Sequence, residues 1–420
     1  MKLAIVGAGW AGLAAAVEAV RAGHQVTLFE ATRTAGGRAR TVEGPGALDN
    51  GQHILIGAYT ETLRLMAAVG VRPEDVLLRQ PLSLRFPDGG GLALPRWPAP
   101  LDLLAGVFTA RGWTWRDRLS LLAASLRWQR AGFRCAPQQT VAELCAGMAP
   151  RVLAELIDPL CVSALNTPAA EASGQVFLRV LQDALFGVPR GGDLLLPRAD
   201  LGALFPAPAL QWLTANGAEL RMPCRVQAIT ADGTGWRVDG EAFDGVLLAC
   251  PPTEAARLAE ETPAWCAQAR ALRFEAIATV YAQAPQGLGQ AMLALRSSPA
   301  APAQFVFDRA RLGGPTGLLA FVVSASGTDR AQLEAAVVAQ ALSQLGLAVT
   351  PLQTIVEKRA TFACTPALQR PALQIAPGLL ACGDYAEGPY PATLEGAVRS
   401  GVAAVRLLAA PRSPANRTGS

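Results

Sequence analysis

The first residues along the chain whose types and spacing could do chemistry are Gly7, Ala8, Gly9, Trp10, Ala11 and Gly12, with Glu30 and Ala31 following. Three glycines in six positions let a backbone turn approach a pyrophosphate. A helix opening there sets its positive end against the phosphates, and a carboxylate at Glu30 accepts hydrogen bonds from a ribose diol. An acidic Glu30 repels a 2′-phosphate, which leaves NAD or FAD. The turn by itself does not choose between them. Four further clusters follow: Gly36-Gly37-Arg38-Ala39-Arg40, Asp49-Asn50-Gly51-Gln52-His53, Gly383-Asp384, and Thr393-Leu394-Glu395-Gly396-Ala397 with Ser400-Gly401. His53 is the titratable candidate for giving a proton in catalysis, weighed against a packed, hydrogen-bonded histidine. Asp384 and Glu395 read as groups held by a cofactor and a helix end rather than as acids.

The elements that must position these residues follow from the pattern. Residues 2–6 are a short apolar run suited to a buried parallel strand, 10–22 lack proline and suit a helix closed by Gly23, and 25–30 read as the next strand. From about 60 to 205 the pattern is helical and interrupted by prolines. Strands are expected at 219–222, 225–229, 236–238 after the turn Asp232-Gly233, and 245–249. Mixed elements fill 256–375, a further strand covers 379–382, and a helix runs from about 394 to 408. The Pro, Ser, Asn and Gly of 411–420 predict a disordered tail.

A chain of 420 residues exceeds what one core supports, since single cores stop growing at roughly 250–300 residues. Apolar residues make up 51% and charged residues 17%, below the ~25% of an average domain, so apolar surface is either buried in excess or turned to a lipid or an apolar ligand. The net charge is +4, and every basic residue except Lys2 and Lys358 is arginine. No basic run interleaved with aromatics is present, so no nucleic acid partner is expected. Eight cysteines without a C-x-x-C pair, and two histidines, His24 and His53, argue against a zinc site; no metal is expected. Cys250 reads as buried filler. The apolar start is broken by Glu18 and is not read as a leader, and the thiols fit a cytoplasmic location. Residues 97–130 carry Trp97, Trp113, Trp115 and Trp128 beside Arg111, Arg116, Arg118, Arg127 and Arg130. That mixture suits a helix on the inner face of the membrane, in peripheral contact, or an amphipathic helix covering a ligand domain.

The Gly-Gly-Arg turn, the Asp-x-Gly segment and the two closing motifs together resemble the amine oxidase and phytoene desaturase superfamily of flavoproteins. The resemblance implies FAD, with Gly36 and Gly37 packed against it and Arg38 near its phosphates. It also implies that Gly51 and Gln52 pass the isoalloxazine ring, that Val226 meets adenine through its backbone from a strand, and that Asp384 binds ribityl or phosphate. The helix end at Thr393, Leu394, Glu395 and Gly396 would face the flavin carbonyl edge, where it stabilises charge on the reduced ring. The implied class is α/β, a Rossmann-like FAD-binding domain (1–75, 205–255 and 376–410) interrupted by an α+β substrate domain (76–204 and 256–375).

Within the superfamily, the run from Asp49 through Tyr59, the segment Leu165-Asn166-Thr167-Pro168 and the chain length are similar to the squalene-associated FAD-dependent desaturases, also called hydroxysqualene dehydroxylases. Such enzymes use reduced FAD to remove the allylic hydroxyl of hydroxysqualene, giving squalene for hopanoid synthesis, so an apolar C30 isoprenoid partner is implied. A carotenoid or phytoene-type desaturase, running in the opposite redox direction, is the near alternative. An amine oxidase usually keeps a lysine near the flavin, and neither Lys2 nor Lys358 suits that place. A non-enzymatic prenyl-lipid carrier of the same fold has no need of Gly7, Gly9, Gly12, Glu30, Arg38 and Asp384 together. Nothing in the spacing points to a particular electron donor.

Overall fold

The computed structural model describes residues 1–42, 48–98, 100–233, 235–327 and 329–409, so the tail expected at 411–420 lies outside the described residues. The apolar run Lys2–Val6 forms the middle of a six-stranded sheet because both of its faces are covered, the usual setting of an all-apolar parallel strand. Its neighbours are Gln25–Phe29 on one side and Gly245–Leu248 on the other, both parallel to it. Glu219–Arg221 extends the sheet beyond the first, and Leu379–Ala381 beyond the second. Gln374–Ala376 closes the edge antiparallel. Three stretches far apart in the chain therefore meet in one α/β layer. Helix Trp10–Arg21 crosses helix Leu394–Ala409 on that sheet, and the crossing is at backbone contact, since a Cβ on Gly401 would overlap the Ala11 carbonyl oxygen.

A second, five-stranded antiparallel sheet runs in the order Met292–Ala294, Phe305–Asp308, Leu318–Ser324, Phe274–Gln283, Thr350–Phe362. Its pleat sends alternate residues to two apolar environments. Val306, Phe321 and Val323 pack with Leu333, Val337 and Ala341 of helix Arg330–Leu345, while Phe305, Phe307 and Val322 turn to the opposite face.

Three sequence expectations are corrected by the fold. The strand expected at 225–229 begins only at Ile229, leaving Val226 outside any strand. The Gln227 and Ala228 N–H groups donate to the Asp239 carboxylate at 2.9 and 2.8 Å, which replaces a ladder partner. The stretch 60–205 is not purely helical, because Leu77–Gln80 and Leu194–Pro197 pair antiparallel and Leu55–Ile56 joins them. Residues 97–130 form two helices, Leu101–Thr109 and Trp115–Arg130, separated at Gly112 (φ +81°) and restarted by a capping box between Thr114 and Asp117. Trp113 and Trp128 point inward, and Trp113 donates its indole N–H to Glu155 at 2.8 Å. Trp97 and Trp115 stay exposed with Leu101, Phe108 and Leu119. Among the described residues no helix is long and apolar enough to cross a membrane.

Candidate active site

One cavity of about 960 Å³ runs from the glycine turn to the inner face of the antiparallel sheet. At the turn, Gly7 adopts φ +113°, and a Cβ there would stand 2.7 Å from the Ala249 carbonyl oxygen. A Cβ on Gly12 would overlap the Gly7 oxygen, so this glycine holds helix to strand and does not itself line the cavity. Gly9 differs. The nearest atom to a Cβ there is the Gly37 Cα at 3.9 Å, so the space beside it is open and lies along the cavity. The helix that starts after Gly9 carries no side-chain cap, leaving its first N–H groups free for an anion. Trp10 and Ala11 line the same wall. Ala8 lies behind it and donates its N–H to Glu30 Oε2 at 2.8 Å, while Glu30 Oε1 accepts from the Thr32 N–H at 2.8 Å. Those bonds hold the Glu30 carboxylate at the end of its strand, next to Ala31 and at the cavity.

Gly36 and Gly37 lie alongside the turn, Gly36 donating its N–H to the Ala8 carbonyl at 2.8 Å, and the Arg38 guanidinium that follows is paired to the Asp384 carboxylate and donates to the Ala360 carbonyl at 2.7 Å. Gly383, Asp384, Thr393, Leu394 and Val226 also line the cavity. The Tyr385 hydroxyl next to them is buried and has no hydrogen-bond partner among the described residues. An uncapped helix end, an open glycine, a cation and an unpartnered buried hydroxyl together fit a dinucleotide such as FAD.

Glu395 and Gly396 take other places. The Glu395 carboxylate is fully buried and accepts from the Glu61 N–H, the Thr62 N–H and hydroxyl, and Arg399. It thus supplies the cap that helix Thr60–Ala68 lacks at its own N-terminus. A Cβ on Gly396 would overlap the Tyr390 carbonyl oxygen, so this glycine serves close packing. Ala8, Gly12, Glu395 and Gly396 therefore support the cavity from outside it.

The segment Asn50-Gly51-Gln52-His53 forms the junction between the two halves. Asn50 donates to Glu357 at 2.9 Å and to the Arg38 carbonyl at 2.8 Å. Burial holds the His53 imidazole below its usual pKa, so the ring is neutral at neutral pH. Its Nδ1 lies 3.2 Å from the Gly51 carbonyl, which can only accept; Nδ1 therefore carries the hydrogen and Nε2 is left as an acceptor. In this resting form the ring holds its proton on Nδ1, away from the free Nε2. Asp49 itself sits behind the wall, pushed up to about 6 by burial, and accepts from the Leu201 N–H at 2.9 Å. Beyond the junction the walls are largely apolar, with Ile277, Phe305, Phe307, Val322 and Ile355 from the sheet and Leu156, Leu160 and Phe177 from helices. Cys250 lines the cofactor end with its thiol pushed up to about 12 by burial, which suits an inert role.

Glu357, Arg309 and Tyr385 were not singled out by sequence. Glu357 lies inside the long strand Thr350–Phe362 and Arg309 directly after Phe305–Asp308, without a spacing to mark either. Tyr385 did follow the Gly383-Asp384 motif, and that adjacency was a usable signal.

The sequence profile described as "Flavin containing amine oxidoreductase" matches residues 10–409. The chain is 28% identical to a hydroxysqualene dehydroxylase of Rhodopseudomonas palustris, over 97% of this chain and 98% of the other. It is 27% identical to a hydroxysqualene dehydroxylase of Sinorhizobium fredii, over 96% and 97%. Among solved structures, an oxidoreductase from Methanosarcina mazei superposes with a TM-score of 0.73 at 18% identity, covering 97% of this chain and 100% of that one.

Proposed function

Because the chain belongs to the flavin containing amine oxidoreductase family and is an FAD-dependent oxidoreductase, we propose that it removes the allylic hydroxyl of hydroxysqualene reductively, giving squalene. The observation that carries the reading is the single cavity, whose one end has the fittings for a dinucleotide and whose other end is walled by aliphatic and aromatic side chains. Two relatives that match over nearly the whole chain and bear that activity in their names support it.

In the reaction the allylic C–O bond breaks, the carbon gains a hydride, and the departing oxygen gains a proton to leave as water. Bound FAD, once reduced, supplies the hydride. The rest falls to the chain's own residues. Gly9, Gly37, the uncapped helix end, Glu30, Arg38 and Asp384 hold the cofactor, and Thr393 and Leu394 bring a second helix end to it. Apolar walls orient the isoprenoid and keep water from the allylic centre. His53, neutral and with a free Nε2, accepts a hydrogen bond there rather than giving a proton in its resting form. In this reading the chain divides into an FAD part (1–75, 205–255, 376–410) and a substrate part (76–204, 256–375). Substrate this apolar is taken most readily from lipid, and the exposed Leu101, Phe108, Trp115 and Leu119, flanked by arginines, suit peripheral contact with a membrane.

The test is an anaerobic incubation of dithionite-reduced protein with hydroxysqualene, followed by chromatography. Squalene formed in proportion to flavin is the expected result. No squalene, together with desaturation by the oxidised protein of an isoprenoid polyene that still contains saturated C–C bonds, would replace this reading with the desaturase.

A further inference from the structure

Gln52 lines the cavity at the junction of its two halves, and its side chain is not free to turn. Arg309 Nη1 stands 2.8 Å from the Gln52 side-chain oxygen, and a guanidinium has only donors, so the atom it faces is the amide oxygen. The amide nitrogen is thereby turned the other way, and among the described residues it donates to no protein atom. Arg309 is itself fixed. It is buried, its second terminal nitrogen lies 4.0 Å from Asp49 Oδ2, and it follows directly on the strand whose Phe305 and Phe307 wall the apolar end. A buried ion pair thus fixes the Gln52 amide with its two N–H groups turned away from Arg309, at the point where the polar junction of the cavity gives way to its largely apolar walls. A hydrocarbon seated against those N–H groups strips them of water and returns nothing, whereas a hydroxyl oxygen takes their hydrogen bond.

We infer that Gln52, positioned by Arg309, is the hydrogen-bond donor for the hydroxyl oxygen of an isoprenoid alcohol, and that this pair makes the cavity prefer an oxygen-bearing guest to the hydrocarbon of the same skeleton. The inference rests on the substrate class proposed above and adds to it the residues that distinguish alcohol from hydrocarbon. Arg309 acts through Gln52 and is a positioning residue; Gln52 is the group that touches the substrate.

The experiment measures equilibrium binding of hydroxysqualene and of squalene to the oxidised, FAD-loaded protein, where no hydride is available and nothing turns over. The wild type should bind the alcohol about tenfold more tightly than the hydrocarbon, the effect of roughly one buried hydrogen bond. Gln52→Leu should abolish that preference while changing squalene affinity by less than about twofold. Arg309→Met, combined with Asp49→Asn so that no carboxylate is left buried without its cation, should abolish it as well. Adding Gln52→Leu to that pair should cost nothing further, because the residues act as one unit. Arg309→Lys, which keeps the charge near Asp49, should restore part of the preference. If the charge-pair variant does not fold, Gln52→Leu alone decides. A Gln52→Leu protein that still prefers the alcohol overturns the assignment. So does one that loses flavin along with the preference, since the donor would then face the cofactor. A wild type that binds both ligands equally overturns this inference and leaves the substrate reading to the turnover assay, whereas a discriminating wild type with discriminating variants removes only Arg309 and Gln52.

Discussion

At two glycines of the turn the protein has no room for an added atom: a Cβ on Gly12 would overlap the Gly7 carbonyl, and one on Gly7 would come within 2.7 Å of Ala249. At the far end of the same cavity the walls are Ile277, Phe305, Phe307, Val322 and Ile355, where volume and polarity matter more than the identity of any one residue. The two ends answer to different ligands. A charged pyrophosphate must be met at fixed points by backbone N–H groups, whereas an isoprenoid chain asks only for a dry space of the right shape. The cofactor end should therefore fail at single positions, and the apolar end only when its polarity changes.

The largest break in that contrast is Gly12→Ala, which forces the first helix off the first strand; the expected outcome is protein that is insoluble or colourless on purification. Ile277→Asp should be the converse, keeping its yellow flavin while turnover of hydroxysqualene falls by about 100-fold or more, because a carboxylate in the apolar wall has no partner. Product chromatography alongside the flavin absorption spectrum checks both at once. Gly9→Ala sharpens the comparison further. Its Cβ meets no protein atom closer than 3.9 Å, so the fold should melt as the wild type does without cofactor, while FAD affinity in a titration drops about tenfold.

These contrasts also explain what could be read from the sequence. Gly7 and Gly37 were legible because only glycine permits so close a backbone approach at a positive φ, and Gly9 because the open space beside it has to stay free for a ligand; requirements that strict leave a spacing behind. Glu395 was legible as a carboxylate at a helix N-terminus, but not as the cap of a different helix, Thr60–Ala68, since sequence shows the charge and not its partner. Val226 lost its strand to Asp239, a competition between a side-chain acceptor and a ladder that local propensity does not reveal. Arg309 and Glu357 carried no signal because a lone polar residue beside a strand looks like any solvated one until the sheet is folded around the cavity. The tryptophans of 97–130 were read as one group, yet Trp113 and Trp128 belong to the core and only Trp97 and Trp115 to the surface.

That surface gives a smaller prediction. Replacing Phe108, Trp115 and Leu119 together by serine should reduce sedimentation with anionic lipid vesicles several-fold, while turnover of detergent-dispersed substrate stays unchanged. The smallest effect belongs to His53. Its folded pKa lies below the unfolded 6.5, so the neutral ring contributes stability that is present above that pH and is lost as the pH falls through the folded value. His53→Gln should therefore lose less Tm than the wild type between about pH 7 and about pH 5, as followed by thermal melts. Equal losses would mean that the imidazole reaches solvent freely.

The claim beneath all of this is that the pyrophosphate turn and the apolar walls belong to one continuous cavity. Titrating the oxidised, FAD-loaded protein with hydroxysqualene while recording the flavin absorption band tests it most directly. A saturable shift of that band, absent in Ile277→Asp, is the predicted result. Binding of the alcohol by an independent measure with the flavin band unmoved would contradict the account.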